Sequence, residues 1–374
     1  MRAAWLYLVA TLLMAGCASV ERNYEAALLL GDIAAGDDDS KLKRRTPQPQ
    51  RDAFYWQHNE REYYGALYVP GSEPQASLVL IHGLTERGVD DPRLHDFAMS
   101  LARVGFTVFV PEIESFRQLE VHADDARDVR DAVEWLLAEH PRAAAQPLGV
   151  AATSMGVGPT MLAVLDDSVA AEVDFMVSVG GYHDMTDAIS YITTGASIHP
   201  RRTYRYTPNE YGTWYMLRSH AERVDSASDR ELLARIAERK MADFEADVSE
   251  LVAELGDDGR LVYELLSNTE PDRVAGLLER LPDAVRDELA ALNLAQRDLE
   301  QLQARMLLIH GLRDNVIPWQ HSRDLQAAVG DERSRFYRVR GLMHVDVRPG
   351  PVSGWRLWRA GHALLLLRDG QQTF

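Results

Sequence analysis

"GVAATSMGVGPT", residues 149–160, sets one serine, Ser154, between a short apolar run and a cluster of small residues. The run "PLGVAAT" (147–153) reads as a strand buried on both faces, and "MGVGPTMLAVL" (155–165) reads as a helix. A chain that turns from buried strand to helix within a residue or two needs small neighbours, because larger side chains would collide at the bend. Ala152 and Gly156, two positions to either side of the serine, meet that need. Two readings remain for the stretch in isolation. Ser154 is either a nucleophile lifted above a sheet or a serine capping a helix.

The surrounding chain supplies the context. "DAFYWQHNE" and "REYYGALYVP" read as two strands around a polar turn, and "ASLVLIHG" as a fully buried strand. "DPRLHDFAMSLARVG" has helical spacing, with Leu94, Phe97, Ala98 and Leu101 on one face and Gly105 at its end. Strand "FTVFVPEI", helix "DDARDVRDAVEWLLAEH" and strand "VDFMVSVGG" continue the alternation. Strands alternating with helices imply an α/β architecture with a mostly parallel sheet flanked by helices.

From His183 to Gln303 the rhythm breaks. An aromatic stretch, "TYRYTPNEYGTWYML", is followed by acidic helical patterns, with 19 Asp/Glu against 9 Lys/Arg between Asp229 and Gln303. The sheet resumes with "ARMLLIHG", a helix near "SRDLQAAVG", the strand "SRFYRVRG" and a terminal helix, "SGWRLWRAGHALLLLRDG". The expected organisation is an α/β core over 51–182 and 304–374, with 183–303 as a large helical cap insertion. Because the insertion leaves after one strand and returns before the next, it should rise over the carboxyl ends of the strands, where open α/β sheets bind ligands.

Here the chain resembles the α/β-hydrolase fold, with Ala152 in place of the first glycine of the family's G-x-S-x-G elbow. The family carries its acid after a later strand and its histidine after the last, in the order Ser, acid, His. "LLIHGLRDNVIP" matches the acid segment and places Asp314; "GLMHVDV" places His344 just past "SRFYRVRG". The resemblance implies a triad of Ser154, Asp314 and His344 and an esterase- or lipase-like serine hydrolase. It also implies an oxyanion hole from the backbone N–H of Met155, next after the nucleophile, and of Leu84, in the loop after "LVLIHG". That loop reads "HGLTERG" and not HGGG, which sets the HGGG lipases aside.

His82 either shapes the oxyanion loop or is a buried structural histidine. His183 and Asp184, where the insertion departs, are candidates for the pocket wall. The aromatic stretch Tyr204–Trp214 either lines an acyl pocket or packs the cap. No HExxH or comparable ligand spacing occurs among the histidines, so no metal is implied. "GVGPT" lacks the GK[ST] ending of a P-loop, and no cofactor is expected.

The N-terminus reads as a targeting segment. Arg2 precedes the uncharged, mostly apolar run Ala3–Gly16, which is shorter than the about 20 residues a spanning helix needs. The run ends in "LLMAGC", which resembles the lipobox of bacterial lipoproteins, with Met14 where leucine is usual. That resemblance implies a signal peptide over 1–16 and a lipid (palmitate-type) anchor on Cys17. Ala18 in place of aspartate resembles the outer-membrane-directed pattern, so the expected place is the outer membrane of a bacterial envelope.

Cys17 is also the chain's only cysteine, which excludes an intrachain disulfide. A helix, "ERNYEAALLLGDIAAG", and a polar linker fill 17–50, with "KLKRR" (Lys41–Arg45) read as solvated linker. The net charge of −17 argues against a nucleic-acid partner, because like charges repel its backbone. The expected partners are therefore a small ester substrate and, through the anchor, a membrane. Three function classes stay open on the residues alone: carboxylesterase or lipase, serine peptidase on small peptides, and a non-catalytic binding lipoprotein. The oligomeric state is not legible.

Overall fold

A computed structural model describes residues 20–374 apart from 141, 200–201, 208–209, 345, 348–350 and 372–374. The signal-peptide and lipobox expectations, with Cys17, lie outside the described residues. Eight strands form the main sheet: β1 (Gln50–His58), β2 (Arg61–Val69), β3 (Ala76–Leu80), β4 (Phe106–Pro111), β5 (Leu148–Thr153), β6 (Phe175–Val179), β7 (Arg305–Gly311) and β8 (Ser334–Val339). Their spatial order is β1-β2-β4-β3-β5-β6-β7-β8. β1 and β2 run antiparallel to their neighbours, and the other pairings are parallel.

The pattern of burial follows from the topology. β3 and β4 are buried along their whole length, as strands with helices on both faces must be. β1, at the edge, buries little beyond Trp56. The chain steps from β3 to β4 on one side and then passes back over β3 to β5. That reversal leaves a crevice at the carboxyl ends of β3 and β5. Helices Pro92–Arg103, Asp125–Glu139 and Val157–Val164 flank the sheet. Asp91 caps the first of them by accepting the Arg93 N–H, with Pro92 in its first turn.

Between β6 and β7 the chain forms helices Met185–Thr194, Glu210–Ala221, Ala227–Ala242, Ser249–Glu254, Asp257–Leu266, Val274–Glu279 and Asp283–Ala291. They share an apolar interior that includes Leu217, Leu233, Ile236, Val262 and Leu292. Asp229, in helix Ala227–Ala242, is buried against the start of helix Asp257–Leu266, accepting the N–H groups of Gly256 (2.8 Å) and Gly259 (3.1 Å). These helices meet loops at the carboxyl ends of the strands: Glu288 accepts the Ala123 N–H after β4, and Tyr191 donates to the Asp314 carbonyl after β7.

The aromatic stretch is not a single element: a short hairpin, Ala196–His199 with Arg202–Arg205, precedes helix Glu210–Ala221. Tyr206 lies edge-on against Tyr191, and Trp214 sits by Tyr263 with the Lys240 ammonium over its ring, so these rings pack within the cap. Nor is the segment before β1 a solvated linker. Leu42 is buried, and Asp32 ties the segment down by accepting from Ser40 Oγ and from Ser100 Oγ (2.7 Å).

Candidate active site

Ser154 stands one residue past β5, at the start of a single 3-10 turn, Ser154–Gly156, that leads into helix Val157–Val164. Its φ is +56°, a left-handed backbone that a side chain normally avoids at a cost of about 1–2 kcal/mol. The bend is tight on the neighbouring side as well. A Cβ at Gly156 would come within 2.9 Å of the Phe116 ring, so glycine is required there. Ala152 is buried and paired with Ser178 of β6. The steric reading of these small residues therefore matches the local geometry.

His344 lies between the short strands Leu342–Met343 and Asp346–Val347, also with a left-handed backbone (φ +51°). Ser154 Oγ donates to His344 Nε2 at 2.7 Å. His344 Nδ1 donates to Asp314 Oδ2 at 2.9 Å. Both bonds require the Nδ1–H tautomer. The three side chains come from loops 190 and 30 residues apart along the chain, measured as Ser154 to His344 and Asp314 to His344.

The acid is held on every side. Asp314 Oδ1 accepts the N–H groups of Val316 (2.8 Å) and Ile317 (2.9 Å), and its own carbonyl accepts from Tyr191 Oη (2.7 Å). His310, fully buried, points Nε2 at the Ile317 carbonyl (2.8 Å) and lies 3.4 Å from Asp314 Oδ2. Burial alone pushes this carboxyl up. The charge on His344 and the hydrogen bonds from His310 and His344 outweigh it and hold Asp314 well below the usual carboxylate range. Asp314 is thus an anion whenever the histidine needs one.

The proposed oxyanion donors lie on the two sides of the crevice. Met155 is buried next to the serine, and Leu84 is half-buried in the loop after β3. His82 is buried beneath that loop. Its Nδ1 donates to the Gly83 carbonyl (2.8 Å), its Nε2 accepts the Ile113 N–H (3.0 Å), and Phe116 packs edge-on against its ring. His82 therefore fixes the loop from below. The backbone N–H of His183 goes to His321 Nδ1 (3.1 Å), and its carbonyl accepts from Ala295. Burial lowers the pKa of its imidazole, so His183 is neutral at neutral pH.

Three residues around the site escaped the sequence reading: His310, Tyr191 and His321. His310 belongs to the quoted strand "ARMLLIHG", but nothing in the run says that its ring reaches the acid. Tyr191 comes from the first cap helix. His321, fully buried, has its pKa pushed down to about 3 by burial, and the charges of His310 and His183 act in the same direction. Among the described residues one cluster of metal-ligand type occurs elsewhere, His58 at the end of β1 with Asp131 and Glu134 of helix Asp125–Glu139. Its groups already have partners: His58 bonds Glu134 at 2.7 Å, and Asp131 accepts from Tyr63 and Asn59.

No protein-family model matches the chain, and no curated protein matches it. Solved structures do. A protein of Legionella pneumophila assigned as a hydrolase aligns with a TM-score of 0.55 at 11% identity, over 89% of this chain and 95% of its own. A dienelactone hydrolase of Anabaena variabilis aligns with a TM-score of 0.46 at 14% identity, over 85% of this chain and 99% of its own. An acylaminoacyl peptidase of Pyrococcus horikoshii gives 0.46 at 14% identity over 88% of this chain, which spans 43% of the peptidase. Likeness at this level speaks to architecture: the chain has the α/β-hydrolase fold.

Proposed function

We propose that the protein is a serine hydrolase that cleaves carboxylic esters. The observation that carries this reading is the continuous relay Ser154–His344–Asp314, with bonds of 2.7 and 2.9 Å, mounted on a serine whose backbone is left-handed. A serine hydroxyl is a poor nucleophile at neutral pH, so a base must take its proton as it attacks. His344 Nε2 is placed for that. Asp314 holds the imidazole in the Nδ1–H tautomer and stabilises the imidazolium.

Attack on the ester carbonyl forms a tetrahedral oxyanion, for which the N–H groups of Met155 and Leu84 are the donors, worth about 3–4 kcal/mol each. Collapse expels the alcohol, protonated by His344, and leaves an acyl-enzyme on Ser154. Water, activated by the same histidine, then releases the acid. The acidic cap above the strand ends favours neutral acyl groups over anionic ones. Specificity for p-nitrophenyl esters is expected to rise with chain length until the available space is filled, by about 0.8 kcal/mol per buried CH₂.

Location belongs to the same proposal. A lipid on Cys17 holds the enzyme at a bacterial membrane, the outer membrane on the Ala18 pattern. Among the described residues no helix is long and apolar enough to cross a membrane.

The test is active-site labelling with a fluorophosphonate beside turnover of p-nitrophenyl esters. Ser154→Ala is expected to abolish both with the fold intact. His344→Ala and Asp314→Asn are expected to lower turnover by about 10³-fold or more, since triad members act as a unit. Labelling that survives Ser154→Ala would remove the serine from the chemistry. A flat chain-length profile with rapid cleavage of aminoacyl-anilides would move the reading to a peptidase.

A further inference from the structure

Among the described residues six large apolar or aromatic side chains stand exposed, and three of them, Val20 (70%), Tyr24 (46%) and Trp355 (59%), gather in one place. Val20 and Tyr24 lie one turn apart at the start of the helix spanning 20–35. Trp355 belongs to helix Pro351–Arg368, stacked on Trp358 with ring centroids 4.7 Å apart. Trp358 Nε1 donates to the Asn23 carbonyl (2.8 Å), which brings the tryptophan pair beside the first turn of the N-terminal helix. The two helices are clamped further by Arg22 with Asp369 (2.7 Å) and by Arg368 with Glu25 (2.6 Å).

The charge here runs against the rest of the molecule. In a chain of net charge −17, Arg45, Arg356 and Arg359 have no carboxylate within 4 Å among the described residues. Arg45 lies over Tyr24, Arg359 lies over Tyr337, and Arg356 donates to the Arg338 carbonyl. Glu25 and Asp369 are occupied by Arg368 and Arg22, and Glu21 is the one exposed acid of the first turn. Tryptophan and tyrosine with arginine is the composition that settles at a lipid–water boundary. There the rings enter the headgroup layer and the guanidinium groups pair with phosphates.

We infer that this face, Val20, Tyr24, Trp355 and Trp358 with Arg45, Arg356 and Arg359, is a docking surface for an anionic phospholipid membrane. The sequence outside the described residues ends at this face. The apolar run Ala3–Gly16 and Cys17 precede Val20 by a few residues, so any lipid or apolar anchor there reaches the membrane beside Trp355. The inference takes from the anchor reading only this proximity. The aromatic and charge arguments stand without it. A seated face fixes how the catalytic crevice is turned relative to the lipid, which a flexible tether alone would leave free.

The experiment uses the full chain, with whatever lipid Cys17 acquires, reconstituted into phosphatylethanolamine–phosphatidylglycerol vesicles with or without bromine on the phosphatidylglycerol acyl chains. The Trp355 signal is the difference between wild type and Trp355→Phe, a change at an exposed site that leaves ester hydrolysis and melting as they were. That signal is expected to fall at least twofold in brominated vesicles. In Arg356→Glu/Arg359→Glu the fall should be lost, because each charge near the surface changes partitioning by about fivefold. A Trp355 signal that bromine leaves untouched overturns the inference. Mass spectrometry of residue 17 reports the anchor separately: lipidated protein with unquenched Trp355 refutes the face alone, and quenched Trp355 without lipid refutes the anchor alone.

Discussion

Gly158, in the first turn of helix Val157–Val164, is where helix propensity and packing predict opposite signs. On propensity alone Gly158→Ala stabilises a helix by up to about 1 kcal/mol. In the structure a Cβ at this position would stand 1.9 Å from the Tyr182 hydroxyl and 2.7 Å from its Cζ. Tyr182 cannot yield, since it is fully buried and its hydroxyl donates to the Leu292 carbonyl at 2.9 Å. Overpacking costs about 1–3 kcal/mol. Parting a buried donor from its acceptor costs about 1–3 kcal/mol more. Set against the propensity gain, the net expectation for Gly158→Ala is a loss of about 1–5 kcal/mol.

Urea unfolding of wild type, Gly158→Ala, Tyr182→Phe and the double variant measures it. Removing the hydroxyl removes the nearest clash, so the two losses should fall short of adding by at least about 1 kcal/mol. A Gly158→Ala protein as stable as wild type, or losses that simply add, would refute the argument that this glycine exists to admit the tyrosine.

Two further outcomes follow from the site and its surroundings. Tyr191→Phe removes the donor to the Asp314 carbonyl, so kcat on a p-nitrophenyl ester should fall about tenfold, about 1.4 kcal/mol, with KM little changed; an unchanged kcat would mean that the acid loop holds its shape without the cap. Burial pushes the Asp125 carboxyl up to about 6, against hydrogen bonds from the His122 N–H and Ser115, so between pH 4 and 6 the folded chain binds more protons than the unfolded one and stability falls as pH rises through that window. Asp125→Asn should remove that fall, on the order of 2 kcal/mol, seen as urea midpoints at pH 4.5 and 7.5 that lie closer together than in wild type.

The sequence disclosed what depends on short-range pattern. Buried strands such as β3 and β4 declared themselves as unbroken apolar runs, and the alternation with helices implied the sheet. The order of Ser154, Asp314 and His344, each after a strand, was legible because strand ends are legible. Contacts between distant segments were not. His310 sits in an apolar strand like any neighbour, and only the fold turns its ring toward the acid. Tyr191 lies among aromatic residues that mostly pack the cap, and nothing local separates the one that reaches Asp314. The segment before β1 looked solvated because its composition is polar. Leu42 and the two serines bonded to Asp32 determine its place instead.

The grip of helix Met185–Thr194 on the core divides the insertion mechanically. Its entry is bolted down: His321 receives the His183 N–H, Tyr191 holds the Asp314 carbonyl, and Asn293 and Ala295, at the 3-10 turn on the returning segment, bond back to Met185 and His183. The helix then stops at Gly195, whose left-handed φ of +70° ends it cleanly. Beyond that glycine the insertion rests on this bolted base and on Glu288, which accepts the Ala123 N–H of the loop after β4. A hinge, a deletion or a swapped lid therefore has natural seams at Gly195 and Leu292. Grafting at the sequence boundary of the insertion would take part of the acid's scaffolding away with the roof.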